Sequence, residues 1–244
     1  MYYKMSTKKI LENTNHRPWS LPTNKWQFYQ EWNDVIFLHY EVALEDLLTF
    51  VPKDLNIDLY EGKAWISLVA FTMEKVRPNY LPSFPPISDF YELNIRTYVT
   101  SNNKAGVYFL SIEAGNKLSC ALANMLSGLP YRYSEMERQK NSFGSSNNFY
   151  KDQFHCSYSV GNSIDSKTTL DLWLTERYAL FHDIEQSIFE FEIHHLPWKL
   201  HEVKMEQLEM KYLRFKALLN ELPTKTHYSK GVQVLTWGKR KLMV

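Results

Sequence analysis

Glycine and cysteine are scarce in this chain of 244 residues, which contains eight glycines and two cysteines, Cys120 and Cys156. The small number of glycines argues against the glycine-rich loops that cradle phosphate groups in nucleotide-binding proteins. The cysteines form neither a Cys-x-x-Cys motif nor a cysteine–histidine spacing typical of zinc sites. We therefore expect two buried, reduced thiols, as in proteins of a reducing compartment.

Long apolar runs and an excess of either charge are also missing. Twenty-eight basic and 27 acidic side chains leave a net charge of +1, which provides no electrostatic footprint for nucleic acid or an anionic membrane. No stretch approaches the ~18 apolar residues of a transmembrane helix, and the first residues lack a signal-peptide pattern. We expect a soluble, cytoplasmic protein with neither nucleic-acid nor membrane partners.

Aromatic residues, in contrast, are abundant, with 16 Tyr, 14 Phe and 7 Trp. They favour β-strands and the walls of ligand pockets, so the composition indicates a mainly β protein. Apolar alternation and turn residues predict strands at 26–42, 55–60, 64–76, 90–100, 106–113, 131–138, 148–160, 187–195, 198–205 and 231–237. Helical spacing predicts helices at 44–50, 116–127, 169–181 and 205–222.

The remaining segments are assigned by their turn and polar residues. Residues 1–15 are predicted to be a polar tail, and residues 16–244 a single domain without an internal linker. Four prolines in the segment 77–88 predict a covering loop or lid. Residues 143–147 are predicted to form a polar turn between two strands.

The strand at residues 90–100 is the most informative stretch of the chain. Its alternation places Leu93, Ile95, Thr97 and Val99 on one face and Glu92, Asn94, Arg96 and Tyr98 on the other. Glu92 and Arg96 would be about 13 Å apart along the strand. That separation suits the two ends of a small molecule, or pairing with different strands. The alternatives are a solvent-facing strand or an internal ion pair.

Several blocks between about residues 15 and 238 resemble the YqjF-like family of uncharacterised proteins. They include HRPW at 16–19, VIFLHY at 35–40, YELNIRTYV at 91–99, GVYFLSIEA at 106–114, LTERY at 174–178 and IHHLPW at 193–198. Members of this family are similar in fold to the acetoacetate decarboxylase superfamily. The resemblance implies an α+β, mainly β fold, in which a curved antiparallel sheet closes into a barrel with a central cavity and a few peripheral helices.

The resemblance also implies that the decarboxylase chemistry is absent. Acetoacetate decarboxylases form a Schiff base through a lysine whose amine is kept neutral by a second cation in a hydrophobic pocket. The similar segment GLPYR at 128–132 has Tyr131 in place of the nucleophile and Arg132 in place of its neighbour. Neither side chain forms an imine. Glu92 has a context similar to that of an acidic site residue of the decarboxylases, although the spacer after Tyr91 is missing.

The candidate binding residues are therefore Glu92, Asn94, Arg96, Tyr98, Tyr131, Arg132 and His39. Tyr131 and Arg132 could instead belong to a strand of packed aromatics, and His39 could be a core histidine. His194 and His195 are neighbours on a strand and face opposite sides, so they cannot share one metal ion. We expect no metal site and no cofactor.

Two functions are compatible with these observations. In the first, the barrel cavity binds a small metabolite that carries a carboxylate or carbonyl group, with or without a reaction that is not Schiff-base decarboxylation. In the second, aromatic side chains fill the barrel, and the protein has a structural or interaction role. The sequence decides neither the ligand nor the oligomeric state.

Overall fold

The computed structural model describes residues 5–219 and 222–242. The helices are α1 (Thr7–Glu12), α2 (Leu44–Leu48), α3 (Pro85–Ser88), α4 (Lys117–Ser127) and α5 (Thr169–Thr175). The strands are β1 (Phe28–Val42), β2 (Asn56–Ile57), β3 (Ala64–Pro78), β4 (Phe90–Ser101), β5 (Lys104–Ala114), β6 (Tyr131–Tyr133), β7 (Glu135–Gln139), β8 (Ser142–Asn147), β9 (Asp152–Ser163), β10 (Ala179–Ile184), β11 (Ser187–His195), β12 (His201–Lys211), β13 (Lys225–Thr236) and β14 (Arg240–Lys241).

These strands form one mostly antiparallel sheet, which confirms the mainly β class. Along the sheet, β11, β10, β5, β4, β3, β1 and β13 are successive neighbours, and β13 also pairs with β11. The pairings therefore return to their starting strand and form a ring. From β13 the sheet continues through β12, β9 and β8 to β7. Closure into a true barrel stays a prediction.

Two hydrophobic clusters lie on opposite faces of the strands at the centre of the sheet. The first contains Ile36, Leu38, Leu68, Leu93 and Ile95, and the second contains Phe37, Val69, Tyr98, Trp198 and Val234. Every residue from Glu92 to Val99 in β4 is consequently buried. The solvent-facing strand considered as an alternative for β4 is therefore wrong.

Two secondary-structure predictions fail in the second half of the chain. The predicted turn at 143–147 is strand β8, whose small Ser and Gly residues pair with both β7 and β9. The predicted helix at 205–222 is largely strand β12 followed by a short turn of 3₁₀ helix at Leu213–Phe215. Pairing with β9 outweighs the helical propensity of this segment. Residues 220 and 221 lie outside the described part.

Two further boundaries differ from the predictions. The helix predicted at 169–181 ends at Thr175, and Ala179 begins β10, which pairs along its whole length with β11. The predicted polar tail contains helix α1, which is capped by Ser6 and buries Ile10. The carbonyl oxygen of Ile10 accepts a hydrogen bond of 2.8 Å from Nε2 of His194. This segment is thus packed against β11.

Gly231 provides a direct test of the β1–β13 pairing. It lies opposite Asn33 with φ of +131°, and a Cβ atom at this position would clash with the carbonyl oxygen of Trp32. Gly62 also has positive φ, +79°, but a Cβ there would meet nothing within 4 Å. We predict that Gly62→Ala lowers the free energy of unfolding by about 1 kcal/mol, the cost of backbone strain alone.

Gly231→Ala is expected to lower the free energy of unfolding by about 3 kcal/mol, clearly more than Gly62→Ala, because the strand must also move to relieve the clash. Urea denaturation of the two variants measures both values. Equal losses for the two substitutions would contradict the close approach of β1 and β13.

Candidate functional site

A cavity of about 630 Å³ lies among the strands of the ring. Most of its wall is apolar, with Phe37, Val69, Phe71, Val107, Leu180, Phe191 and Trp198 among the lining residues. This volume is within the range of ~300–1,000 Å³ that is typical of ligand sites. The interior filled by aromatics, on which the structural alternative depends, is not observed.

A few polar side chains face this apolar cavity. They include Glu92, Asn94 and Arg96 from β4, Tyr131 from β6, Arg177 from the α5–β10 connection and His195 from the end of β11. Their positions follow from the alternation of β4, which directs residues 92, 94 and 96 to the same side. An apolar cavity with a few convergent polar groups is the usual form of a small-molecule site.

Glu92 is the titratable acid of the cavity and is 2% exposed. Its carboxylate accepts a hydrogen bond of 3.1 Å from Nδ2 of Asn94 and one of 3.0 Å from the hydroxyl of Tyr131. Burial raises the pKa of Glu92 to about 7, against the opposing effects of these hydrogen bonds and of Arg96. Glu92 can therefore gain or lose a proton near neutral pH.

Arg96 carries the cavity's least compensated charge. None of the salt bridges within residues 5–219 and 222–242 includes it, and its buried Nε has no hydrogen-bond partner. Burial lowers the pKa of Arg96, although a guanidinium stays charged at neutral pH even when it is buried. The β4–β5 pairing shifts register beside Arg96, because Leu110 of β5 is an extra residue between the partners of Ile95 and Arg96, and such bulges are common beside functional sites. This guanidinium is available to an anion.

Arg177 is a second guanidinium at the cavity, but it has a carboxylate partner. Its Nη1 donates a hydrogen bond of 2.6 Å to Asp58, and its Nε donates one of 2.7 Å to the carbonyl oxygen of Trp173. Its buried Nη2 has no partner. Arg177 and Arg96 repel each other, which adds to the lowering of the pKa of Arg96 by burial. A ligand anion would relieve this repulsion.

Tyr98 and His39 lie on the same face of the sheet as the cavity, farther along the strands than the residues that line it. Both are fully buried, and both contact the hydroxyl of Ser67 on β3. Ser67 is the cross-strand neighbour of Arg96 and also of His39. These two predicted site residues therefore support the site from beyond its lining.

Arg132 is on the other side of the sheet from the cavity. It neighbours Tyr131 on β6, so the two side chains face opposite ways. Its Nη2 donates a hydrogen bond of 2.9 Å to Glu113, and its Nη1 lies 3.5 Å from Asp152. The predicted cavity position of Arg132 is thus wrong, and the alternation of the short strand is the reason.

The mouth of the cavity is formed by the proline-rich loop, helix α3 and helix α4. Leu81, Phe84 and Leu126, which we call the rim, line the cavity and are each more than half exposed. Lys239 also lines the cavity and is exposed. The predicted covering loop therefore contributes apolar side chains to the mouth of the cavity. Lys239 lies on the solvent side of this mouth.

Arg177, His195 and Trp198 also line the cavity and can bind a ligand through polar or aromatic groups, but they are not among the sequence-based candidates. The sequence analysis treats His195 only as a rejected metal ligand. In the structure, Nδ1 of His195 lies 2.8 Å from the carbonyl oxygen of Leu196, and burial lowers the pKa of the imidazole. The resemblance blocks LTERY and IHHLPW contained all three residues, but periodicity alone gave them no orientation.

Comparison with known proteins identifies the family. The sequence profile of DUF2071, described as an uncharacterized conserved protein, matches residues 29–233. The chain belongs to the DUF2071 family. It is 36% identical over 230 residues to the uncharacterized protein YqjF of Bacillus subtilis strain 168, covering 91% of this chain and 95% of that protein. The resemblance to the YqjF-like family is confirmed.

Solved structures similar to this DUF2071 protein share its fold. They include the enduracididine biosynthesis enzyme MppR complexed with pyruvate, with a TM-score of 0.62, 12% identity and 93% of each chain covered. An acetoacetate decarboxylase from Legionella pneumophila has a TM-score of 0.61 and 12% identity, with 100% of this chain and 98% of that chain covered. An acetoacetate decarboxylase-like enzyme from Sphingomonas wittichii RW1 has a TM-score of 0.59 and 11% identity, covering 90% and 94% of the chains. The acetoacetate decarboxylase-like fold is therefore confirmed.

Within residues 5–219 and 222–242, no three or more histidine, cysteine, aspartate or glutamate side chains are grouped so that they could hold a metal ion. The same ranges contain no helix with the length and apolar character needed to traverse a bilayer.

The raised pKa of Glu92 leads to a prediction about stability. Because the pKa of Glu92 is about 7 in the folded state, against 4.5 for a glutamate in water, the folded state loses stability as pH rises through this interval. Glu92→Gln removes the ionisation. We predict that the free energy of unfolding of Glu92→Gln, relative to wild type, increases by about 3 kcal/mol between pH 4 and pH 8.

Urea denaturation at the two pH values measures this difference. Glu206→Gln, which neutralises an exposed carboxylate on β12, is the matched control and is expected to show no comparable increase. A constant difference between Glu92→Gln and wild type would contradict the desolvated position of Glu92.

Proposed function

We propose that this protein binds a monocarboxylate with an apolar body in its cavity, and that Arg96 binds the carboxylate group. The observation that carries this proposal is the buried guanidinium of Arg96, which faces the cavity without a carboxylate partner among the described residues. A buried, unpaired charge is costly, and a charge-assisted hydrogen bond to a ligand anion offsets that cost.

The apolar wall determines what the rest of the ligand looks like. Of the rim residues, Leu81 and Phe84 precede β4 in sequence, and Leu126 lies on α4. Within β4, Glu92 is nearer than Arg96 to the start of the strand. A ligand whose carboxylate reaches Arg96 would therefore extend for about 13 Å along β4 past Glu92. Most side chains along this path are aromatic or aliphatic. A hydrocarbon or aromatic body suits this path better than a small keto acid does.

Glu92 and Tyr131 would act beside the bound molecule. With a pKa of about 7, Glu92 is partly protonated at neutral pH, and its neutral form avoids repulsion of the ligand carboxylate. The hydroxyl of Tyr131 holds the carboxylate of Glu92 in place. This pair could exchange a proton with a carbonyl group on the ligand, which is the route by which the site would support a reaction.

The Schiff-base mechanism is not part of this proposal. Tyr131 lies beside Glu92 in the cavity, where the resemblance places the reactive lysine of the decarboxylases. The lysine among the cavity-lining residues of the described chain is Lys239, which is exposed at the mouth. We further interpret the ring of strand pairings as a barrel around the cavity, as the sequence predicts. We also infer that the protein is cytoplasmic.

Affinity for saturated monocarboxylates should increase with chain length. Each buried methylene contributes about 0.8 kcal/mol, which is about fourfold in affinity. Calorimetric titration with acids from butanoate to decanoate measures the slope. Arg96→Met, which keeps the volume but removes the charge, is expected to weaken decanoate binding by at least about tenfold.

Arg214→Met removes an exposed arginine that packs over Phe215, and it is the matched control. It should bind decanoate like wild type. If wild type binds none of the acids, or if Arg96→Met binds them equally well, the proposed function is wrong.

Borohydride trapping tests the chemistry that we exclude. Wild-type protein incubated with pyruvate and borohydride should keep its mass, because an imine requires a neutral, accessible lysine in the cavity. An acetoacetate decarboxylase treated in the same way is the positive control. A covalent adduct mapped to a lysine of this chain would contradict the proposal.

A further inference from the structure

A continuous line of buried polar groups runs across the cavity face of the sheet, beyond the residues that line the cavity. Nε2 of His227 lies 2.8 Å from Oδ1 of Asp171, and Nδ1 of His227 lies 3.0 Å from Nε2 of His39. Nδ1 of His39 lies 2.6 Å from Oγ of Ser67, which lies 2.5 Å from the hydroxyl of Tyr98. We call these five residues the relay. Each of them is 2% exposed or less.

The relay connects two charges that do not touch. At one end, Ser67 lies directly opposite Arg96 in the β3–β4 pairing, and Tyr98 follows Arg96 by two residues on the same face of β4. At the other end, Asp171 also accepts from Nζ of Lys225 at 2.5 Å. The relay thus joins the unpaired cation of the cavity to a distant carboxylate through four neutral groups.

The chemistry of the donors fixes the direction of these hydrogen bonds. Burial lowers the pKa of both His39 and His227, so both imidazoles are neutral at neutral pH. Because Asp171 is a carboxylate, Nε2 of His227 must carry the proton and Nδ1 must accept. Nε2 of His39 then donates and Nδ1 of His39 accepts.

The remaining bonds follow from this tautomer. The hydroxyl of Ser67 must donate to His39, so its oxygen accepts from the hydroxyl of Tyr98. The hydroxyl of Tyr98 has one proton for two acceptors, because it also donates to the carbonyl oxygen of Leu174 at 3.0 Å. Tyr98 therefore shares its proton between Ser67 and Leu174, and from Ser67 onwards every donor of the relay points towards Asp171.

We propose that the relay positions Arg96 for an incoming anion, with Asp171 fixing the direction of the hydrogen bonds. This inference rests on the proposed function. A carboxylate in direct contact with Arg96 would neutralise it and compete with the ligand. Aligned hydrogen-bond dipoles instead stabilise the buried cation and fix its orientation, and they leave its cavity side vacant. Ser67, Tyr98, His39 and His227 are accordingly positioning residues.

Nitrogen NMR of the histidine side chains tests the relay independently of any ligand. We expect His39 and His227 to be neutral in wild-type protein at neutral pH, each with its proton on Nε2. Signals are assigned by comparison with His39→Gln and His227→Gln. A proton on Nδ1 of neutral His39, or a charged imidazole in either residue, would overturn the proposed direction.

Two substitutions that each remove one buried hydroxyl test the effect on binding. Ser67→Ala interrupts the relay, whereas Thr97→Val removes a hydroxyl that donates a hydrogen bond of 2.9 Å to the carbonyl oxygen of Trp65. We expect Ser67→Ala to weaken decanoate binding by roughly tenfold, and Thr97→Val to leave it unchanged. Tyr98→Phe provides a second interruption if Ser67→Ala does not fold.

The outcomes separate the two proposals. If wild type binds decanoate and the Ser67→Ala and Thr97→Val variants bind it equally, the positioning role is wrong and the proposed function stands. If wild type fails to bind any acid, the proposed function and the positioning role both fail, while the histidine tautomers still decide whether the hydrogen bonds run as described.

Discussion

The uncompensated charge of Arg96 is the constraint on which the site depends. A guanidinium inside a protein requires hydrogen-bond acceptors or an anion, because removing it from water costs several kcal/mol. Here Asp58 partners Arg177, and Glu113 and Asp152 partner Arg132. Arg96 alone among these three arginines faces the cavity without a carboxylate. That difference separates a binding group from structural ion pairs of the same residue type.

The packing of the sheet on both faces keeps the polar side chains of β4 away from water. Because β4 is buried on both faces, its polar side chains have a rigid apolar surround instead of solvent. The same burial that leaves Arg96 without water raises the pKa of Glu92 to about 7. The proposed anion-binding role of Arg96 and the raised pKa of Glu92 on the same strand therefore have a common physical origin, namely the low polarity of the space between the strands.

The sequence predicted the cavity face of β4 well. Alternation was sufficient to place Glu92, Asn94 and Arg96 on one side, and the resemblance to the YqjF-like family indicated a cavity there. Arg132 was placed at the cavity by the resemblance, as the neighbour of the position of the nucleophile, although neighbours on a strand face opposite sides. Arg177 lies in a connection without periodicity, so only the folded chain reveals that it reaches the cavity.

The failures in secondary structure have a related cause. The segment after Met205 has helix-forming composition, but its pairing partners in β9 lie 50 or more residues earlier in the chain, from Gln207↔Ser157 onwards, so no local pattern predicts the pairing. The serine-rich composition of β8 likewise predicts a turn, but in the fold this segment pairs with β7 on one side and with β9 on the other. Local propensity is a weak guide where long-range pairing decides the structure.

A crystal structure of the protein grown with decanoate would test the central claim most directly. The account predicts density for the acid inside the cavity, with its carboxylate within hydrogen-bond distance of the Arg96 guanidinium and its hydrocarbon chain directed past Glu92 towards Phe84. A cavity occupied only by water, or an acid bound with its carboxylate away from Arg96, would contradict it.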